Sequence, residues 1–173
     1  EYEGPITLVK LRAQLEPSAV RGRVIIIPAL NYPAFRAGRR TSPIDGGNMN
    51  RVFPGNSDGT ITEMIAHYVI SKVLPLCDAV VDIHAGGRTM YLSPCTVIHE
   101  LADKELMART LAVSKAFGAP IGLILVELDA SGMLDTAVEE AGKVFVSTEL
   151  GGGGSASVET ISIAETGVRN ILC

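Results

Sequence analysis

The chain has 173 residues and a formal net charge of −4, with 47% hydrophobic and 20% charged residues, a balance that fits one globular domain and excludes a disordered chain. No basic stripe is available to neutralise phosphates, and no apolar run approaches the ~18–20 residues that span a bilayer, so neither nucleic acid nor a membrane is an expected partner. The three cysteines, Cys77, Cys95 and Cys173, are scattered and odd in number, which suggests neither a disulfide framework nor a thiolate zinc site.

In chain order, apolar positions at Ile6, Leu8, Val9 and Leu11 predict a helix over residues 4–15. The β-branched run Val24, Ile25, Ile26, Ile27 predicts a strand over 23–30, of the kind buried on both faces in a parallel sheet. Residues 31–59 carry Pro33, Pro43, Pro54 and several glycines without periodicity, and read as a long loop. Loops beyond ~12–15 residues are uncommon in compact domains and tend to be functional or disordered; the Arg, Asn and aromatic content favours function. An amphipathic helix follows over 60–74, then strands over 79–84 and 89–98. A helix over 102–117 is closed by Gly118 and Pro120. A strand over 121–128, a short helix over 134–141, a strand over 143–150 and a helix from about 156 onward complete the pattern. This alternation predicts a three-layer α/β fold with a mostly parallel, mixed sheet. In such folds ligands gather at the carboxyl ends of strands.

Four of those ends carry chemistry. Asp82 and His84 share one side of their strand, and Gly86-Gly87 follow. A neutral imidazole can ligate a metal while the nearby Asp82 carboxylate fixes its tautomer; the competing reading is a buried, hydrogen-bonded histidine at a strand end. Glu149 leaves a hydrophobic strand for a four-glycine run, a setting that suits a general base but also a surface acid or helix cap. The run Gly151 to Ala156 formally fits a dinucleotide turn, yet no strand with a ribose-binding acid follows it. Within the long loop, Asn50-Arg51 offers a planar fork and an amide donor for an anionic small molecule, with Arg39-Arg40 upstream. Weaker candidates are His67, which reads as a surface residue in mid-helix, His99-Glu100, which lacks metal partners in the sequence, Cys95, which has Pro94 beside it and no nearby helical histidine to activate a thiol, and Asp129 and Ser131-Gly132, which read as caps of the helix that follows.

Taken together, Glu1-Tyr2-Glu3-Gly4, Asn50-Arg51-Val52-Phe53, Asp82-Ile83-His84 and Thr148-Glu149-Leu150-Gly151 resemble the succinylglutamate desuccinylase/aspartoacylase family. These are zinc-dependent amidohydrolases related in fold to the metallocarboxypeptidases. The four motifs occur in the family's order across nearly the whole chain. The stretch from Asp45 to Gly55 and the four-glycine run are most similar to the N-acetyl-diaminobutyrate deacetylases of ectoine breakdown.

The resemblance implies Zn2+ as cofactor, with Glu1 and His84 as ligands and Glu3 not one. It also implies a further ligand histidine three residues before Glu1, and β-structure beyond Cys173, so that residues 1–173 form part of one catalytic domain. By the same pattern Glu149 is the general base, Asn50 and Arg51 hold a substrate carboxylate, and Arg40 polarises the scissile carbonyl. The implied reaction is hydrolysis of a small N-acyl amino acid by a metal-activated water, in a cytoplasmic enzyme whose homo-oligomeric state the sequence leaves open. The isolated chain is expected to bind zinc weakly or incompletely. The alternatives are a carboxypeptidase-like peptidase, and a nucleotide- or phosphate-binding module built on the Gly151 to Gly154 turn.

Overall fold

The computed structural model describes residues 1–126 and 131–172, so Leu128, Asp129 and Cys173 lie outside the described residues. In chain order its elements are α1 (Glu3–Gln14), α2 (Tyr32–Ala37), α3 (Ile61–Tyr68), β1 (Ala79–His84), β2 (Tyr91–His99), α4 (Lys104–Phe117), β3 (Ile121–Leu125), α5 (Leu134–Glu140), β4 (Val144–Gly152) and α6 (Val158–Leu172). The strands form one mixed sheet in the order β1-β4-β2-β3. Strand β2 runs parallel to β3 and antiparallel to β4. No described helix is long and apolar enough to cross a membrane.

Local chemistry sets the ends of these elements. Thr60 and Glu63 form a reciprocal capping box at the start of α3: the Glu63 carboxylate accepts the Thr60 N–H at 2.7 Å and the Thr60 hydroxyl accepts the Glu63 N–H at 3.4 Å. After Tyr68 the helix widens into a π-helical turn over Val69–Val73 and ends near Pro75. Asp103 caps α4 by accepting the N–H groups of Glu105 and Leu106 at 2.9 and 3.1 Å. Gly118, at φ +76°, ends the same helix in the left-handed conformation.

Residues 23–30 depart from expectation. The segment belongs to no strand of the sheet among the described residues. Its side chains alternate, with Val24 and Ile26 half-buried and Ile25 and Ile27 exposed at 41% and 40%. β-branched residues encode an extended backbone, whereas the ladder partner must come from elsewhere in the chain. Here one face, through Ile26, packs beside Leu11, Phe117 and Val168, and the other face stays open. The long loop also holds more structure than its sequence suggests, namely α2 and a 3-10 turn at Met49–Arg51.

Two compact units divide the described residues. The first, Glu1–Pro28, Val81–Val126 and Val146–Cys173, has its core around Leu11, Phe117 and Val168, with α6 packed on both α1 and α4. The second, Ala29–Val80 and Glu127–Phe145, centres on Met49, Phe53, Ala66, Leu74, Leu134, Val138 and Phe145.

Within the first unit Gly167 of α6 lets the Phe117 ring lie directly on the helix backbone. A Cβ at Gly167 would stand 2.5 Å from two ring carbons, and Phe117 is 1% exposed, so the ring has nowhere to swing. Alanine gains about 1 kcal/mol in helix propensity, whereas overpacking a filled core costs about 1–3 kcal/mol. An overlap this close puts the cost at the upper end, about 2–3 kcal/mol, so Gly167→Ala is expected to lower stability by about 1–2 kcal/mol net. Thermal unfolding reads this as a reduced Tm, and an unchanged or raised Tm would show that the helix contact yields.

Candidate active site

In the first unit, strand alternation brings Asp82 and His84 to one face at the end of β1, and the chain before α1 brings Glu1 to the same imidazole. His84 Nε2 lies 2.8 Å from Asp82 Oδ2, and Nδ1 lies 3.1 Å from Glu1 Oε2. The Thr148 hydroxyl of β4 donates to the His84 carbonyl at 3.3 Å, tying the backbone of the residue to the neighbouring strand. Asp82, and to a smaller extent Glu1, hold the His84 pKa well above the ordinary imidazole range, against a desolvation that pulls it down.

Chemically this pair fits a cation. Both carboxylates can only accept, so the imidazole donates from Nε2 to Asp82 and from Nδ1 to Glu1; a cation that replaced the Nδ1 proton would meet a nitrogen lone pair and the Glu1 carboxylate on one side, with Asp82 still holding the Nε2–H. Two donors bound tetrahedrally to zinc at ~2.0–2.1 Å stand about 3.3 Å apart. The 3.1 Å between Nδ1 and Oε2 is close to that edge. Glu1 and His84 therefore fit as two ligands, with Asp82 behind the imidazole. Among the described residues no group of three or more His, Cys, Asp or Glu side chains could hold a metal ion, so Glu1 and His84 would need a further donor to form a site.

Glu149 sits half-buried on β4 between Thr148 and Leu150, both fully buried. Its register partner on β2 is Cys95. Burial pushes the Cys95 thiol up; the Glu149 N–H pulls it down and the Glu149 carboxylate pushes it up, so carboxylate and thiol stand within electrostatic reach. The register slips by one residue between Leu92 and Cys95, a bulge that contains Pro94. Proline in the strand was the sequence signal for it.

The glycine run has a different use from phosphate binding. Gly153 N–H donates to the Met90 carbonyl and Gly154 N–H to the Gly87 carbonyl, both at 2.8 Å, while Gly86 N–H donates to the Gly151 carbonyl at 3.1 Å. A Cβ at Gly86 would stand 2.5 Å from the Met90 carbonyl oxygen. These glycines lock the turn after β1 against the end of β4. The amides that a nucleotide phosphate would need are committed to carbonyls.

In the second unit, Asn50 and Arg51 occupy the 3-10 turn between the core residues Met49 and Phe53. The Leu134 N–H donates to Asn50 Oδ1 at 2.8 Å. Because a backbone N–H can only donate, that bond fixes the amide orientation and turns both Nδ2 hydrogens away from it. The Arg51 guanidinium donates to the Asn50 carbonyl. Gly132, at φ +77°, packs on the Arg51 backbone, where a Cβ would stand 2.5 Å from the Arg51 oxygen. Sequence reasoning left Ser131-Gly132 as a helix cap and missed this support. Arg39 and Arg40 follow α2 and are both exposed, so the structure does not separate them. His67 on α3 and His99 at the end of β2 are half-buried.

The chain fits the profile of the Succinylglutamate desuccinylase/Aspartoacylase catalytic domain over residues 1–173. The chain belongs to this family. It is 52% identical over 172 residues to an N-alpha-acetyl-L-2,4-diaminobutyric acid deacetylase of Halomonas elongata, covering 99% of this chain and 50% of that protein. It thus spans about half the length of the curated relative it matches. A product-bound structure of the ectoine utilization protein EutE (DoeB) from Ruegeria pomeroyi superposes with a TM-score of 0.96 at 55% identity, over 99% of this chain and 52% of that one. A succinylglutamate desuccinylase from a Silicibacter species gives 0.97 at 52% identity, with the same coverage. A candidate metallopeptidase from Shewanella denitrificans, at 15% identity and TM-score 0.71 over 98% of this chain and 68% of that one, shares the fold.

The loop that carries Asn50 and Arg51 is pinned upstream by Asp45. Its carboxylate accepts the Gly47 N–H at 2.9 Å, the Thr62 N–H at 2.7 Å and the Thr62 hydroxyl at 2.8 Å, and these bonds lower its pKa to about 2. The folded value lies below the ordinary ~3.9. The contribution to loop stability is therefore fully present above the unfolded value and is lost as pH falls through about 2. An NMR titration of Asp45 should find its midpoint near about 2, and Thr62→Val, which deletes only the hydroxyl, should move it part of the way back up. A midpoint near the ordinary value would show that the three bonds do not form.

Proposed function

We propose that this chain carries the catalytic residues of a zinc-dependent amidohydrolase that removes the acyl group from a small N-acylated amino acid, N-acetyl-diaminobutyrate first among the candidates. The observation that carries the reading is the imidazole of His84, backed by Asp82 on one nitrogen and facing Glu1 with the other. The family and the deacetylase relative support the reaction class and the substrate. In the proposal Glu1 and His84 hold the metal, and the histidine of the family pattern three residues before Glu1 completes the set. A bound zinc supplies Lewis acidity, lowering the pKa of a water from ~15.7 toward ~7.

The remaining roles belong to the chain. Glu149 takes the proton of the attacking water and returns it to the departing amine, so one carboxylate acts first as base and then as acid. Arg40 polarises the scissile carbonyl and stabilises the developing oxyanion. The Arg51 fork and the Asn50 Nδ2 hydrogens hold the substrate carboxylate, the amide orientation being set by its bond to Leu134. The products are a free carboxylic acid and a free amino acid.

In the full-length enzyme, chelation should abolish turnover of N-acetyl-diaminobutyrate and zinc should restore it. Glu149→Ala should lower kcat by about 10²–10⁴-fold with little change in KM. Full turnover by metal-stripped enzyme would overturn the reading, and faster cleavage of peptides than of N-acyl amino acids would replace it with a peptidase.

Asn50→Asp offers a sharper probe of the binding residues. Aspartate keeps an oxygen for the Leu134 N–H but loses the amide donors and places a negative charge near the substrate carboxylate. It should leave Tm near the parent value while raising KM by at least about tenfold, the cost of a charge-assisted hydrogen bond. An unchanged KM would remove Asn50 from the binding site.

A further inference from the structure

The Glu1-Tyr2-Glu3-Gly4 segment contains two acids, and the proposed function uses only the first. Glu3 is 1% exposed, which is rare for a carboxylate without partners. Its partners are specific. Oε1 accepts the Thr160 hydroxyl at 3.2 Å and Oε2 accepts the Tyr2 N–H at 3.2 Å. Thr160 is itself 1% exposed and is held in the first turn of α6 by Ser157, whose hydroxyl accepts the Thr160 N–H at 3.0 Å and whose N–H meets the Thr160 hydroxyl at 3.1 Å. The carboxylate thus joins the backbone immediately after Glu1 to the capped end of a 15-residue helix.

Gly4 completes the arrangement on the other side. A Cβ there would stand 2.9 Å from the Ile83 carbonyl oxygen, so the first turn of α1 presses on β1 one residue before His84. Tyr2, the residue at the N-cap, makes no side-chain cap of its own, and the Glu3 carboxylate serves its N–H instead. The start of α1 is consequently fixed at three points: Thr160, the Tyr2 amide and the back of β1. Glu1 is one residue from the nearest of them. The Glu1–His84 spacing of 3.1 Å is set where no regular element yet holds the chain.

We propose that Glu3, anchored by Thr160, is a positioning residue that sets the Glu1 carboxylate against His84 for metal binding. The inference rests on the metal-ligand reading of Glu1 and His84 given above. It acts through backbone geometry and needs a hydrogen-bonding atom at both ends of the Glu3 side chain, an acceptor toward the Tyr2 N–H and either a donor or an acceptor toward the Thr160 hydroxyl. Loss of a group that orients a metal ligand typically lowers metal affinity by about 10–100-fold.

The test is zinc affinity of the full-length enzyme, measured by competition with a chromophoric chelator, alongside Tm of the metal-free protein. Glu3→Ala and Thr160→Val should each weaken zinc binding by about 10–100-fold. Glu3→Gln, whose amide oxygen can still accept the Tyr2 N–H while its NH₂ donates to Thr160, should restore most of the affinity. Leu11→Ala, which opens the core lower on the same helix, should reduce Tm and leave zinc affinity within about twofold, separating lost stability from lost positioning. If Glu1→Ala weakens zinc binding but Glu3→Ala and Thr160→Val do not, the positioning role is overturned while the metal site stands. If Glu1→Ala leaves the affinity unchanged, the ligand reading fails and the positioning role fails with it.

Discussion

Everything proposed for the first unit depends on one imidazole having two different sides. A histidine offers a metal a lone pair only on a nitrogen that carries no proton, and which nitrogen that is depends on what the other one meets. Asp82 can only accept, so at 2.8 Å it keeps a proton on Nε2, and the proton a cation could replace is the one on Nδ1, which the Glu1 carboxylate otherwise accepts. The choice of ligand atom is made by a residue two positions away on the same strand, through the alternation that puts both side chains on one face. A carboxylate at 82 and an imidazole at 84 would not cooperate in this way on adjacent positions of the strand.

Around that imidazole the structure uses backbone contacts where side chains would take up too much room. Gly4 brings α1 onto β1, and Gly86 and Gly152 let the turn after β1 close on the end of β4. Each admits an approach that a methyl group would forbid. The second unit follows the same logic with other residues: Gly132 lies on Arg51, and the Asn50 side chain spends its oxygen on the α5 backbone. In both units the polar atoms proposed for function extend from backbone that is pinned by hydrogen bonds within the unit.

Much of this was legible in the sequence. Strand β1 matches the expected residues 79–84, and α4 and β4 lie within a few residues of the expected bounds, because apolar patterns and stop signals agree there. The pairing of Asp82 with His84 follows from strand alternation alone. What the sequence could not supply was long-range. Residues 23–30 have the composition of a buried strand, yet composition names no partner, and the segment joins no ladder among the described residues. The Leu134 bond to Asn50 spans 84 positions and the Thr160 bond to Glu3 spans 157, and no local pattern announces either. The role of the four glycines was open for the same reason: a glycine run shows that something comes close, without saying whether it is a phosphate or the chain itself.

The bulge in β2 has a geometric consequence beyond its own strand. Alternation along a strand is a parity rule, and one inserted residue reverses it. Tyr91 and Leu92 therefore face the sheet in the opposite sense to what counting back from Cys95 would give. The strand in effect carries two reading frames. One matches the residues from Cys95 onward to the stretch of β4 that carries Glu149, and the other matches its first residues to the glycine turn. Pro94 sits at the join, where it has no N–H to leave unpaired. A shift of a single residue there would keep the hydrogen-bond count nearly constant while exchanging which side chains look toward Glu149. The alignment of Glu149 with its surroundings is therefore fixed by the length of β2 between two points as much as by the identity of any residue on it.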